Sequence, residues 1–205
     1  MAKQIWKPGN MLYPLPAVMV STADKSGRSN IITVAWTGTV CTNPAMLYIS
    51  VRPERYSYNL LKDSGEFVVN LTTEKLKKAT DWCGVRSGRD VDKWKEMHLT
   101  AGRASKLDYA PIIEECPVNI ECKVVDVKEC GSHDMFIANV LAVHADKEYM
   151  DKDGRFQLEK ANPIGKITAW KSRTSGVFSW RISDIGRFTW NIWMERQKSF
   201  CIEKE

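Results

Sequence analysis

Apolar and polar residues alternate through most of the chain, and the alternation predicts strands. Val118, Ile120, Cys122 and Val124 are separated by Asn119, Glu121 and Lys123, the period-two pattern of a strand buried on one face. Residues 15–22 predict an earlier strand, ended by the polar turn Asp24-Lys25-Ser26-Gly27-Arg28. Residues 29–39, with β-branched Ile31, Ile32, Thr33, Val34 and Thr37, predict a single return strand. Residues 45–51, after the Asn43-Pro44 turn, and residues 66–71 predict two more. A Cys130-Gly131 turn leads through His133 into a run to His144 that is apolar on both faces apart from Asn139. That run is expected as a central strand, with His133 at its mouth.

A few segments follow helical spacing instead. Between Pro53 and Gly65, Leu60 and Leu61 form an apolar side; Ser57 is the expected N-cap and Gly65 the stop. Residues 73–82 predict a second helix, broken by Gly84-Val85-Arg86-Ser87-Gly88, and residues 89–94 open a short third one. Residues 99–116 carry little regular pattern apart from Pro111-Ile112-Ile113, and are expected to line a partner surface. The order is strands with hairpins and small helices. No GxGxxG, Walker loop, HExxH or GxSxG is present. The expected fold is therefore mainly β, an antiparallel barrel with a few short helices.

Composition narrows the class. The 205 residues are expected to form one domain, with an aromatic C-terminal extension at 171–205. Net charge is +5, and the densest basic cluster is Lys75-Leu76-Lys77-Lys78, which reads as a solvated helix face. The excess favours anionic ligands. The N-terminus lacks the apolar core of a signal peptide, and no apolar run reaches the roughly 18 residues that span a bilayer. The expectation is a cytoplasmic protein with no membrane partner. The six cysteines form no CxxC pair and read as reduced thiols. Cys122, Cys130 and His133 fit no common zinc spacing, and Asp151-Lys152-Asp153-Gly154 lacks the other ligands of a calcium loop, so no metal is expected.

Candidate chemistry gathers at a few places. Arg52, Arg55 and Ser57 stand at a strand-to-helix junction, where free N–H groups, the helix dipole and guanidinium groups suit a phosphate. Ala35-Trp36-Thr37-Gly38-Thr39 is poor core material but offers backbone N–H groups to a flat polar ligand. Lys93 stands beside an aromatic residue. Trp170, Trp180, Trp190 and Trp193 lie among Phe178, Phe188, Arg173, Arg181 and Arg187. Such a tail could pack on a second subunit, cap a pocket or grip single-stranded nucleic acid; the low charge and the absence of an RNA motif argue against nucleic acid.

Several of these segments occur in a family order. They are Ser29-Asn30-Ile31-Ile32-Thr33-Val34-Ala35-Trp36, Pro53-Glu54-Arg55-Tyr56-Ser57-Tyr58-Asn59-Leu60-Leu61-Lys62, Gly65-Glu66-Phe67-Val68-Val69-Asn70-Leu71, Cys83-Gly84, Ser87-Gly88-Arg89-Asp90-Val91-Asp92-Lys93-Trp94 and Gly131-Ser132-His133-Asp134-Met135-Phe136. Over about residues 12–170 the set resembles the flavin reductase-like family of FMN-binding split β-barrels, most closely its flavoredoxin branch. The resemblance implies a Greek-key split barrel and a homodimer with noncovalent FMN near the subunit interface. By position it implies that Asn30, Trp36, Thr37, Gly38 and Thr39 line the flavin ring and ribityl chain, and that Thr33, Ala35 and Ser50 also belong to the cofactor site. Arg55 and Ser57 fall at the phosphate end with Arg52 close by, Lys93 and His133 reach the cofactor, and Trp170 flanks it. Because the flavin carries the electrons, no catalytic acid–base pair is required, although His133 is a candidate. The implied function is an FMN redox protein that takes electrons from a protein donor; the alternatives are an NAD(P)H-dependent flavin reductase and a non-redox binding module on the same barrel. Ser57 stands where threonine is commoner, Trp94 for phenylalanine and Ala138-Asn139 for Gly-Glu, and the tail past Trp170 matches least.

Overall fold

The computed structural model describes residues 3–5, 7–10, 12, 14–167 and 176–179. The strands are β1 (Leu15–Pro16), β2 (Val18–Ala23), β3 (Ser29–Val34), β4 (Thr37–Cys41), β5 (Met46–Val51), β6 (Glu66–Leu71), β7 (Ala101–Gly102), β8 (Ile112–Ile113), β9 (Val118–Glu129), β10 (Asp134–Ala145), β11 (Ile164–Ile167) and β12 (Gly176–Ser179). The helices are α1 (Tyr56–Ser64), α2 (Lys77–Val85), α3 (Lys93–Glu96) and α4 (Leu158–Ala161).

Seven strands make one antiparallel sheet in the order β3-β2-β6-β9-β10-β5-β4. Its two edge strands, β3 and β4, are consecutive in the chain and only Ala35 and Trp36 separate them. The sheet therefore curls until its edges meet, the antiparallel barrel expected from the alternation and the split barrel implied by the resemblance. One expectation needs correction here. Residues 29–39 are not a single strand, because the chain leaves one edge at Val34 and joins the other at Thr37. The crossing is fixed by the Ser50 N–H, which donates to the Trp36 carbonyl at 2.8 Å. β10 lies between β9 and β5, as its two apolar faces predict. β9 runs well past Val124, pairing with β10 through two register shifts.

Both faces of the sheet are covered around β2, β3 and β6, whereas Val125 of β9 and Leu141 and Val143 of β10 are exposed. Val18, Val20, Ile32, Val34, Ile49, Val51, Phe67, Val69, Cys122 and Phe136 fill the inside, with Tyr58 and Leu61 of α1. The alternate residues Met19 and Ile31 point outward against Ala79 and Cys83 of α2 and against Leu99, Ile113 and Cys116. Burial on this scale stabilises by about 1.5–3 kcal/mol for each fully buried large side chain.

The irregular stretch before β9 is strapped to the outside of the sheet. Ala104, Leu107 and Ala110 pack on Val68. Two buried glutamates beneath it accept its backbone donors. Glu66 takes the N–H groups of Asp108 at 3.1 Å and Tyr109 at 2.8 Å, and pairs with Lys123 at 2.9 Å. Glu121 takes the N–H groups of Ser105 and Lys106, each at 2.7 Å, and pairs with His144. Burial alone would raise the Glu121 pKa. The donors from Ser105, His144 and Lys106 outweigh it and bring the carboxyl down to about 2.

Local signals end the elements. Gly65 closes α1 in the left-handed region, φ 67°, and Gly131 makes the β9–β10 turn at φ 82°. Ser57 is not the cap of α1. The cap position is Arg55, whose side chain makes no capping bond, and Ser57 lies inside the first turn, 1% exposed. Nor does Gly84 break its helix. α2 runs through it to Val85, and Gly84 is small where the helix meets Thr33, whose Cβ would stand 3.2 Å from an added methyl. Asp92 caps α3 by accepting from the N–H groups of Trp94 and Lys95.

Candidate functional site

A cavity of about 310 Å³ lies where β3, the β5–α1 junction and the turn after α2 converge. Asn30 and Ile32 supply one wall, Arg52 to Ser57 a second, and Cys83, Gly84 and Arg86 to Arg89 a third, with Lys93 beneath. Each wall follows from local structure. β3 places Asn30 at the strand start, 3% exposed. The chain leaves β5 at Val51 and enters α1 at Tyr56, so α1 presents its N-terminal turn, with its uncapped N–H groups and dipole, to the cavity.

Hydrogen bonds stiffen the floor. Asn30 Nδ2 donates to Ser57 Oγ at 2.8 Å with both residues buried. That bond uses the acceptor side of the serine; its O–H hydrogen meets no acceptor among the described residues and is left to donate. Lys93, 3% exposed, donates to the carbonyls of Ile31 and Cys83, each at 2.7 Å, and keeps one ammonium hydrogen in reserve. Burial lowers its pKa to about 8, with the nearby Arg55 cation adding to the effect and Cys83 opposing it. Burial also pushes the Cys83 thiol up to about 11, so this sulfur is no nucleophile at neutral pH.

Charge on the rim is mostly positive. Arg52 pairs with Glu54 at 2.8 Å. Arg89 Nη1 donates to the Glu54 carbonyl at 3.1 Å and its guanidinium lies 5.8 Å from the Tyr56 ring centroid, within cation–π range. Neither Arg55 nor Arg86 forms an ion pair among the described residues. Next to this rim the rings of Trp36 and His133 pack 4.3 Å apart, centroid to centroid. Burial, then the Arg52 cation, lowers the His133 pKa, which keeps the imidazole neutral at physiological pH.

The geometry thus joins a donor-rich cationic cavity to an aromatic pair at the seam of a split barrel. Residues 11–159 match the flavin reductase like domain model. The chain belongs to the flavin reductase-like family. An uncharacterized protein of Archaeoglobus fulgidus is 33% identical over 145 residues, 70% of this chain and 78% of that one. Among solved structures, flavoredoxin of Desulfovibrio vulgaris (Miyazaki F) superposes with a TM-score of 0.78 at 27% identity, covering 93% of this chain and all of that one. Flavoredoxin from Methanosarcina acetivorans gives 0.75 at 27% identity, covering 87% and 92%.

Within this flavin reductase-like barrel, Asn30, Arg52, Arg55, Ser57 and Lys93 line one cavity, and Trp36 and His133 stand beside it. Other residues named from the sequence are placed differently. Thr33 turns away: its hydroxyl donates to the Thr80 carbonyl of α2. Thr37 donates to the Tyr48 carbonyl at 2.6 Å, Gly38 lies against the Tyr48 ring and Thr39 is exposed, so these three follow the seam along β4. Ala35 is half-buried in the crossing, and Ser50 acts there through its backbone. Trp170, Trp180, Trp190 and Trp193 lie outside the described residues. Tyr56, Arg86, Gly88 and Arg89 line the cavity although residue-level reasoning assigned them no role; the pair of arginines flanking Ser87-Gly88 was the available signal. Among the described residues no helix is long and apolar enough to cross a membrane.

Proposed function

We propose that this chain is an FMN-binding redox protein of the flavoredoxin type, a single-domain protein acting as a homodimer. The observation that carries the reading is the cationic cavity with a buried, donor-ready Ser57 beside the Trp36–His133 pair. The residues fit the cofactor chemically. The Arg55 guanidinium and the Ser57 hydroxyl are donors without acceptors among the described residues, as a phosphate requires. A Cβ on Gly88 would stand 2.3 Å from Asn30 Oδ1, so the cradle is kept open by the missing side chain. Two flavoredoxins are the supporting neighbours at 27% identity.

In this assignment Arg55 and Ser57 hold the phosphate and Arg52 lies next to it. Asn30 orients the serine. Trp36 and neutral His133 wall the ring, and Lys93 fixes β3 to α2 while placing a cation under the site. Bound FMN would supply the electron-carrying chemistry, its reduced form favoured by nearby positive charge or N–H donors. The chain's own part is to bind and orient, and to shield one ring face from water.

An absorption spectrum of the purified protein is the first test. Oxidised-flavin bands, or their recovery on adding FMN, support the reading; a colourless protein that ignores FMN ends it in favour of a non-redox module. Arg55→Ala and Ser57→Ala should each weaken FMN binding about tenfold, the worth of one charge-assisted hydrogen bond, and riboflavin much less. Equal loss for both ligands would remove the phosphate assignment. Anaerobic mixing with NADH or NADPH separates the donors: no bleaching fits a protein donor, and rapid bleaching fits a reductase. Light scattering of the loaded protein reads the dimer.

A further inference from the structure

Ser57 and Tyr58 are neighbours on the first turn of α1, and two distant strands hold them. Asn30 of β3 bonds Ser57. The Tyr58 hydroxyl donates to the carboxylate of Asp134, the first residue of β10. In the sheet β2, β6 and β9 separate those two strands, so α1 is tied to the barrel from two sides. We propose that Tyr58 and Asp134 are positioning residues for the flavin, their bond fixing the phosphate cradle on α1 at a set distance from the ring wall at His133. The inference rests on the flavin-site reading above and deepens it.

The pair stands where a barrel interior ordinarily carries carbon. Asp134, Phe136 and Ala138 alternate along β10 and all three are buried. A carboxylate is costly to bury, and Tyr58 is its one side-chain hydrogen-bond partner among the described residues. The tyrosine ring is buried too, edge-on to Phe136 with 5.5 Å between centroids. Phenylalanine facing an apolar residue would fill this space without the cost of a buried carboxylate. A local rule broken in this way marks a functional site. What the pair adds is direction, because a hydroxyl bonded to a carboxylate is among the shorter and stronger hydrogen bonds. The Asp134 bond, then burial, raises the Tyr58 pKa, so the phenol keeps its proton at neutral pH. Each end lies one residue from the site: Ser57 precedes Tyr58, and His133 precedes Asp134. Main-chain pairing with Val51 of β5 and Glu129 of β9 already fixes Asp134 in the sheet, so the helix is the end that the bond steadies. Without it Asn30 still holds Ser57 and the Trp36–His133 wall still stands, but the spacing between them is released. FMN spans both ends and depends on that spacing. Riboflavin has no phosphate and does not.

Titrations of the full-length protein with FMN and with riboflavin, read by fluorescence and by visible circular dichroism, test the pair. Tyr58→Phe removes only the hydroxyl. With the competent spacing reduced to about a tenth of the population, FMN should bind about tenfold more weakly and riboflavin within about twofold of wild type. The dichroism of bound FMN, which reads ring orientation, should change as well. Asp134→Asn leaves the phenol an acceptor and should keep both the FMN affinity and the dichroism of wild type. Asp134→Leu removes the acceptor and should repeat the Tyr58→Phe pattern. Glu121→Gln, destabilised through the strap, is the control for general loosening and should bind FMN as wild type does. Wild-type affinity and dichroism in Tyr58→Phe overturn the inference, as does a loss shared equally by riboflavin or by Glu121→Gln. An Asp134→Asn protein as weak as Asp134→Leu overturns the hydrogen bond as the link. Failure of the wild-type protein to bind FMN at all overturns the flavin reading beneath it.

Discussion

Gly88→Ala is a single methyl placed where the site has no room. The backbone there is not in the left-handed region, so alanine meets no conformational barrier and the cost is steric. The new Cβ would stand 2.3 Å from Asn30 Oδ1, 2.7 Å from Asn30 Cγ and 2.7 Å from Tyr56 Cδ1. Asn30 must move, and moving it breaks the 2.8 Å bond to Ser57. Overpacking costs about 1–3 kcal/mol, and a buried polar pair left unmatched costs about 1–3 kcal/mol. With partial relaxation of the exposed turn, about 2–4 kcal/mol is expected. Urea unfolding of the ligand-free protein reads the stability and a fluorescence titration reads FMN affinity. Asn30→Ala removes the obstructing group, so the double variant should be less destabilised than the sum of the singles. A Gly88→Ala protein with unchanged midpoint and unchanged FMN affinity would refute the tight floor, and strictly additive effects would refute its link to Asn30.

Other perturbations test separate features. Glu121→Gln should cost about 3 kcal/mol at pH 6, because charge-assisted bonds to the strap are lost. Its folded pKa of about 2 lies below the ordinary 4.5, so the wild-type advantage is complete above that ordinary value and fades as pH falls toward 2; a gap that does not vary between pH 6 and 2.5 in urea titrations argues against an ionised Glu121. Lys93 has the opposite dependence to a paired lysine. With its pKa lowered from 10.5 to about 8, the unfolded chain binds more protons in between, so wild type should gain on Lys93→Met as pH rises from 8 to 10. Unfolding midpoints at those two pH values decide it, and a constant difference fails the prediction. His133→Ala should weaken FMN and slow flavin reduction by removing one ring of the aromatic pair; stopped-flow traces identical to wild type would leave His133 as a strand-edge residue.

The barrel was legible because its strands obey a simple period. Residues 118–124, 66–71 and the β10 run are strands because one face or both must be buried, and the pattern states which. The split at Ala35-Trp36 was not legible, because β-branched residues continue on both sides and only the meeting of distant sheet edges breaks the strand. Ser57 carries a cap residue's side chain, yet a buried Asn30 contributed from β3 claims it. Glu66 and Glu121 look like the solvent side of alternating strands, and their burial depends on a strap whose own sequence has no period. At the site, Arg52, Arg55 and Ser57 were visible as a local junction. Arg86 and Arg89 acquire meaning only when the turn after α2 is folded against that junction.

The strap over the sheet is tethered through its main chain. Glu66 and Glu121 hold amide hydrogens, which every residue but proline possesses, and between positions 104 and 110 the inward apolar anchors are Ala104, Leu107 and Ala110. The outward positions 106, 108 and 109 are consequently under little architectural obligation. Variation there can redecorate this side of the molecule, altering what it greets in solution, while the barrel and its ligand groove go on unchanged.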